Sequence, residues 1–172
     1  MQPASYNRLA NQVKATGVNT TASSVMDYLK FAADACVVFS ISNYASKFAE
    51  RESIKKHYFV DNGLLNIFLI DNNSALLENI CAIRLYQQYA GSLYFYSRNI
   101  EVDFYIPSEH TAFQVSYSIA DIDTRKREVD ALRKLHIYEP LKKAIVVTYE
   151  EEESINAGDL TIEVVPLWKW LL

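Results

Sequence analysis

The side chains that could do chemistry in this sequence are carboxylates and amides set among apolar neighbours. Asp103 stands between Val102 and Phe104 in EVDFYI, and strand alternation turns it to the opposite face from both. Gln114, Ser116 and Ser118 alternate with Phe113, Val115 and Tyr117 in the same way, so the three polar residues share one face. A polar face on a central strand implies a cleft. Glu78 in LLEN lies in a helical segment, where it reads equally well as a surface or capping acid. Hard oxygen donors suit Mg²⁺, with Asp103 and Gln114 as candidate metal ligands; Gln114 offers a carbonyl but no charge.

Other chemistries lack their motifs. The chain has no GxxxxGK(S/T), no GxGxxG and no HExxH, and four glycines cannot build a phosphate-cradling loop. By itself it is expected to hydrolyse no ATP and to carry no cofactor of its own, Mg²⁺ aside. His57, His110 and His136 are too scattered to form a motif, and no GxSxG nucleophile elbow is present. Cys36 and Cys81 each sit in an apolar segment without a neighbour at metal-ligand spacing, which reads as two buried thiols in a reducing compartment. No basic stretch precedes an apolar run at the start, and no apolar stretch reaches the ~18 residues needed to span a bilayer. The expectation is a cytoplasmic protein with no membrane contact.

The elements that must position these residues fall into two units, 1–70 and 71–172. A chain of 172 residues, half of them hydrophobic, can fill one core or two small ones. Residues 1–60 carry an excess charge of +3 and residues 61–172 one of −7, an asymmetry that can mean one half meets an anionic partner. Ser5 caps a helix with Tyr6, Leu9, Ala10 and Val13 on one face, and Gly17 ends it. Asn19-Thr20-Thr21 precedes a second, with Ala22, Val25, Met26, Leu29 and Ala33 on one face. Strands at Cys36–Ile41 and His57–Val60 follow, closed by Asp61-Asn62-Gly63. Two helices and a two-stranded wing assemble most economically as a winged helix-turn-helix.

The second unit reads α-β-β-β-α-β-β: a helix over Ser74–Tyr89, strands at Leu93–Ser97, Glu101–Ile106 and Ala112–Ser118, and a charged helix capped by Asp123 through His136. Strands at Ala144–Thr148 and Thr161–Pro166 complete a mixed sheet flanked by helices, an α/β (α+β) class. The acidic run Glu150–Glu153 between the last two strands reads as a solvated loop.

This order resembles nucleases of the PD-(D/E)XK type, which place an acid on the first helix, an Asp in a hairpin strand and Glu/Gln-x-Lys on the next. In such sites carboxylates hold Mg²⁺ against the scissile phosphate and the lysine orients or deprotonates the attacking water. The matching positions are Glu78, Asp103, Gln114 and Ser116. Across essentially its whole length the chain is similar to the C-terminal region of prokaryotic, Bacteroides-like AAA-type ATP-binding proteins. SYNRLAN, YFVDNGLL, LLEN, EVDFYI, QVSYS and VPLWKWLL carry that likeness. The resemblance implies a winged helix followed by a restriction-endonuclease-like domain of unknown function. The resemblance also implies that the ATPase domain, with its ATP, lies N-terminal to this chain and is its first partner.

Ser116 stands where the nuclease pattern has lysine and cannot replace an ammonium group, so the site reads as vestigial unless Arg125, Lys126 or Arg127 reaches back to it. The leading expectation is therefore an interaction module that binds DNA or a protein partner. Arg8, Lys14, Lys30, Lys55 and Lys56 are its nucleic-acid-binding candidates. A metal-dependent nuclease and a purely protein-binding or homo-oligomerising module are the alternatives.

Overall fold

The computed structural model describes residues 2–47, 54–68 and 72–172. Two capped helices open the chain. The Ser5 hydroxyl accepts the N–H of Arg8 at 3.2 Å and starts α1 (Tyr6–Ala15); the Thr21 hydroxyl accepts the N–H of Ser24 at 3.1 Å and starts α2 (Ala22–Asp34). Each cap satisfies an amide that a first turn leaves open. Gly17, at a φ of 90°, makes the turn between them in a left-handed conformation open to glycine.

The next two strands, β2 (Val38–Asn43) and β3 (Ile54–Phe59), pair antiparallel with Ser40 opposite His57, and the short β1 (Ala4–Ser5) pairs with β3. This hairpin does not stand free as a wing. On its other side β2 runs parallel to β4 (Tyr94–Ser97), with Ser42 opposite Tyr94. Buried Asn43 fastens the seam: its Oδ1 accepts the Ser97 N–H at 2.9 Å, and its Nδ2 donates to the Ser97 carbonyl at 2.6 Å. Strands from 1–70 and from 71–172 thus share one mixed sheet of nine described strands, in the order β1-β3-β2-β4-β5-β6-β7-β9-β8.

The expected elements of the second segment are present, with shifted ends. They are α4 (Asn73–Tyr89), the antiparallel meander β4, β5 (Glu101–Ile106) and β6 (Thr111–Val115), α5 (Ile122–Tyr138), β7 (Lys143–Thr148) and β9 (Leu160–Pro166). At the end of the first segment lies α3 (Asn62–Phe68), where only a turn was expected; Asp61 Oδ1 caps it by accepting the Leu64 N–H at 3.0 Å. The cap of α5 is Asp121, two residues before Asp123, accepting the Thr124 N–H at 2.8 Å. β6, β7 and β9 run parallel, and α6 (Leu167–Trp170) follows β9.

The acidic run is not a plain solvated loop. Glu153 opens an additional strand, β8 (Glu153–Ala157), which turns through Gly158-Asp159 into an antiparallel hairpin with β9. Glu151 accepts the Ser118 hydroxyl and the Ile119 N–H, Glu152 pairs with Lys169, and Glu153 pairs with Arg125. The expectation of two buried thiols also needs correction. Cys81 is buried, its thiol pushed well up by burial, whereas Cys36 is exposed at a φ of 55°, because β2 begins two residues later than read.

Each face of the sheet carries its own core. On one, Leu132 and Leu135 of α5 pack on Val102, Tyr105, Val146 and Ile162. On the other, Cys81, Ala82 and Leu85 of α4 pack on Phe39, Tyr58, Phe95, Phe104 and Val147. Val102 and Phe104 therefore point to opposite faces, contrary to simple alternation. The cause is a break in register: Tyr94 faces Tyr105 and Tyr96 faces Val102, so β5 spends one more residue than β4 between the two pairs. Such a bulge bends the strand and re-aims side chains. Asp103 lies inside it. No helix among the described residues is long and apolar enough to cross a membrane.

Candidate functional site

The site opens where β5 and β6 part. Their ladder pairs Ile106 with Thr111, Tyr105 with Ala112 and Phe104 with Phe113. Beyond Phe104, side chains replace the backbone partners. The Asp103 N–H goes to Gln114 Oε1 at 2.8 Å, and the Val115 N–H goes to Asp103 Oδ2 at 3.0 Å. Gln114 Nε2 donates to the Glu101 carbonyl at 3.2 Å and to Glu128 Oε2 at 2.8 Å. Gln114 is thus a fastener between two splayed strands and α5. The gap between the strands widens into a cleft of about 760 Å³, lined by Glu78, Asp103 and Gln114 and, from α5, by Lys126, Glu128 and Lys134.

The decisive side chain, Lys56, lies enclosed behind the carboxylates of the cleft wall. On β3, alternation sends Lys56 and Tyr58 to the α4 face of the sheet, and both are fully enclosed. Lys56 Nζ lies 2.8 Å from Asp103, 3.1 Å from Glu101 and 3.5 Å from Glu78. The Tyr58 hydroxyl donates to Glu78 Oε1 at 2.8 Å. A buried ammonium is tolerated only when paired and hydrogen-bonded. Burial pulls the Lys56 pKa down, but Asp103 and Glu101 outweigh it and hold the group above the ordinary lysine range. Burial likewise pushes Asp103 up, and Lys56 more than reverses this, leaving Asp103 below the ordinary carboxylate range. Glu128 goes the other way: burial, and then the charge of Asp103, raise it despite its ion pair with Arg127 at 2.6 Å.

The sequence-predicted site residues divide. Glu78, Asp103 and Gln114 meet in the cleft. Ser116 does not line it; its hydroxyl donates to the Ser118 carbonyl at 2.9 Å. The Gln114 carbonyl, read as a metal ligand, is taken by the Asp103 N–H. Of the three cations considered as substitutes, Arg125 is tied to Glu153, Arg127 to Glu128, and Lys126 lines the cleft. The nucleic-acid candidates scatter. Arg8 and Lys14 lie on α1 and Lys30 on α2, while Lys55 and Lys56 alternate on β3 and so face opposite ways. Lys56 is enclosed and offers no surface to a phosphate.

Lys56, Tyr58, Glu101 and Glu128 were missed as members of the site, although two signals were present. Starting the strand at Ile54 instead of His57 puts Lys56 in phase with buried Tyr58. Glu128 stands in helical phase with Leu132 and Leu135, an acid on the inner stripe of α5.

Among the described residues no group of three His, Cys, Asp or Glu side chains is placed to hold a metal ion. The Lys56 ammonium already sits among the carboxylates that would do so.

No family model matches the chain, and no solved structure matches it. It is similar to the uncharacterized protein MJ1544 of the archaeon Methanocaldococcus jannaschii, 30% identical over 183 residues. The match takes in 98% of this chain and spans about 40% of the length of that relative.

Proposed function

We propose that the chain is an interaction module of a larger protein, a winged-helix-like segment joined to a restriction-endonuclease-like one, whose cleft binds nucleic acid without cutting it. The observation that carries this reading is the 2.8 Å contact between enclosed Lys56 and Asp103 of the cleft wall. The ammonium pairs with the acids that a nuclease of this architecture would commit to a metal and offsets part of their charge, while Lys126 and Lys134 stand on the cleft wall, beside Asp123 and Asp130, to meet phosphates. The α4-β4-β5-β6-α5-β7 order, with a meander followed by a strand parallel to its last member, supports the nuclease-like architecture. The greater length of the archaeal relative supports a larger protein. Tyr28 and Phe31, exposed on α2, give the protein-binding arm of the reading a surface.

A second reading, a metal-dependent nuclease, is favoured by the make-up of the same cluster. Glu78 on α4, Asp103 on β5 and Glu128 on α5 surround the cleft, and Lys56 brings from β3 the cation that Ser116 cannot supply. One assay separates the two. Purified protein with Mg²⁺ or Mn²⁺ is expected to bind labelled single-stranded and duplex DNA and RNA in anisotropy titrations and to leave them intact on denaturing gels. Cleavage abolished by Asp103→Asn establishes the nuclease reading instead, and absence of binding removes nucleic acid from both.

A further inference from the structure

A second groove, of about 300 Å³, opens beside the cleft at the same end of the sheet. It lies beyond the C-terminal ends of the parallel strands β6, β7 and β9, the side on which ligands of open α/β sheets bind. Tyr117 and Tyr149 form its wall, with rings stacked at 4.9 Å and 13° from parallel. Tyr149 is 47% exposed, so the pair presents an aromatic surface to solvent instead of burying it. Leu77, Ile80 and Leu167 line the groove, with the Asn73 amide at its rim, and none of its described lining residues is charged. Two short steps of chain connect it to the cleft: Tyr117 is two residues past Val115, and Leu77 adjoins Glu78.

Resting on the reading of the cleft as a nucleic-acid site, we infer that this groove seats an unpaired nucleobase of the strand whose phosphates run along Lys126 and Lys134. The division of labour follows from chemistry. Phosphates need cations, which Lys126 and Lys134 supply on a wall that also carries Asp123 and Asp130, whereas a base needs a flat, uncharged platform and an amide or hydroxyl edge, which the tyrosines and Asn73 supply. The preferred ligand is then a single strand, because a paired base has no free face to give to Tyr149.

The test is an anisotropy titration with a single-stranded oligonucleotide, the same strand with abasic sites, and a duplex, each at two salt concentrations. Wild type is expected to prefer the single strand over the abasic one by about tenfold, a preference lost in Tyr149→Ala and kept in Tyr149→Phe. A 2-aminopurine in the strand should be quenched by wild type and by Tyr149→Phe but not by Tyr149→Ala. The Tyr149→Ala loss should leave the salt slope unchanged, whereas Lys126→Ala with Lys134→Ala should flatten it. If the lysine variant weakens binding while Tyr149→Ala matches wild type, the base seat is wrong and the cleft reading stands. If wild type binds no strand, both fall.

Discussion

Two acid-rich regions of this molecule are built from the same residue types and behave as opposites. In the cleft, Glu78, Glu101 and Asp103 converge on one enclosed ammonium, that of Lys56. In the run 150–153, Glu151, Glu152 and Glu153 each find a separate partner at the surface, and the Lys169–Glu152 pair is about half exposed on both sides. Water screens the second set and can replace any partner that is lost. Nothing replaces Lys56. The same charge count is therefore an optional ornament in one place and a condition of the fold in the other, and burial is the variable that decides.

The largest expected effect breaks the buried set. Lys56→Met should cost about 3–5 kcal/mol in chemical denaturation, because it strands Asp103 and Glu78 without a counter-charge. Lys56→Met combined with Asp103→Asn should recover part of that loss. A single-variant loss under 1 kcal/mol would show the cluster to be as dispensable as the surface run. The pair's contribution should also span the neutral range. Asp103, depressed, loses its share only as pH falls through its lowered value, and Lys56, raised, only as pH rises through its own.

A middle-sized effect sharpens the comparison with a group of the other kind on the same strand. His57 points away from the cleft, its Nδ1 2.7 Å from the Ser40 hydroxyl, and burial, helped by Lys55, lowers its pKa to about 4. Below the unfolded value of about 6.5 the unfolded chain takes up a proton that the folded chain refuses. Stability is therefore complete above that pH and falls as pH drops toward 4, by about 3 kcal/mol. His57→Gln should flatten the melting-temperature profile over that window. The smallest effect belongs to the surface run: Glu152→Gln should change stability by less than about 0.5 kcal/mol and leave the pH profile in place.

The local elements were legible because their signals are local. The Ser5 cap, the α4 and α5 stripes and the β4–β6 meander each follow from residues within a few positions of one another. The β8–β9 hairpin also has a local turn, Gly158-Asp159, but reading the glutamates before it as a solvated loop left β8 out. Of the site, the sequence determined that Glu78 sits on a helix and that Asp103 and Gln114 sit on neighbouring strands of the meander that follows it. Only the tertiary structure decided what surrounds them. The Lys56–Asp103 contact joins residues 47 positions apart and depends on the β2–β4 seam, which no local pattern encodes. The aim of Asp103 comes from a bulge, which shifts alternation by one residue, and two-residue periodicity cannot show where it falls. A lysine followed by a histidine and a tyrosine reads as a surface in the chain. Closing the sheet and laying α4 across it makes the same lysine the counter-charge of a buried site.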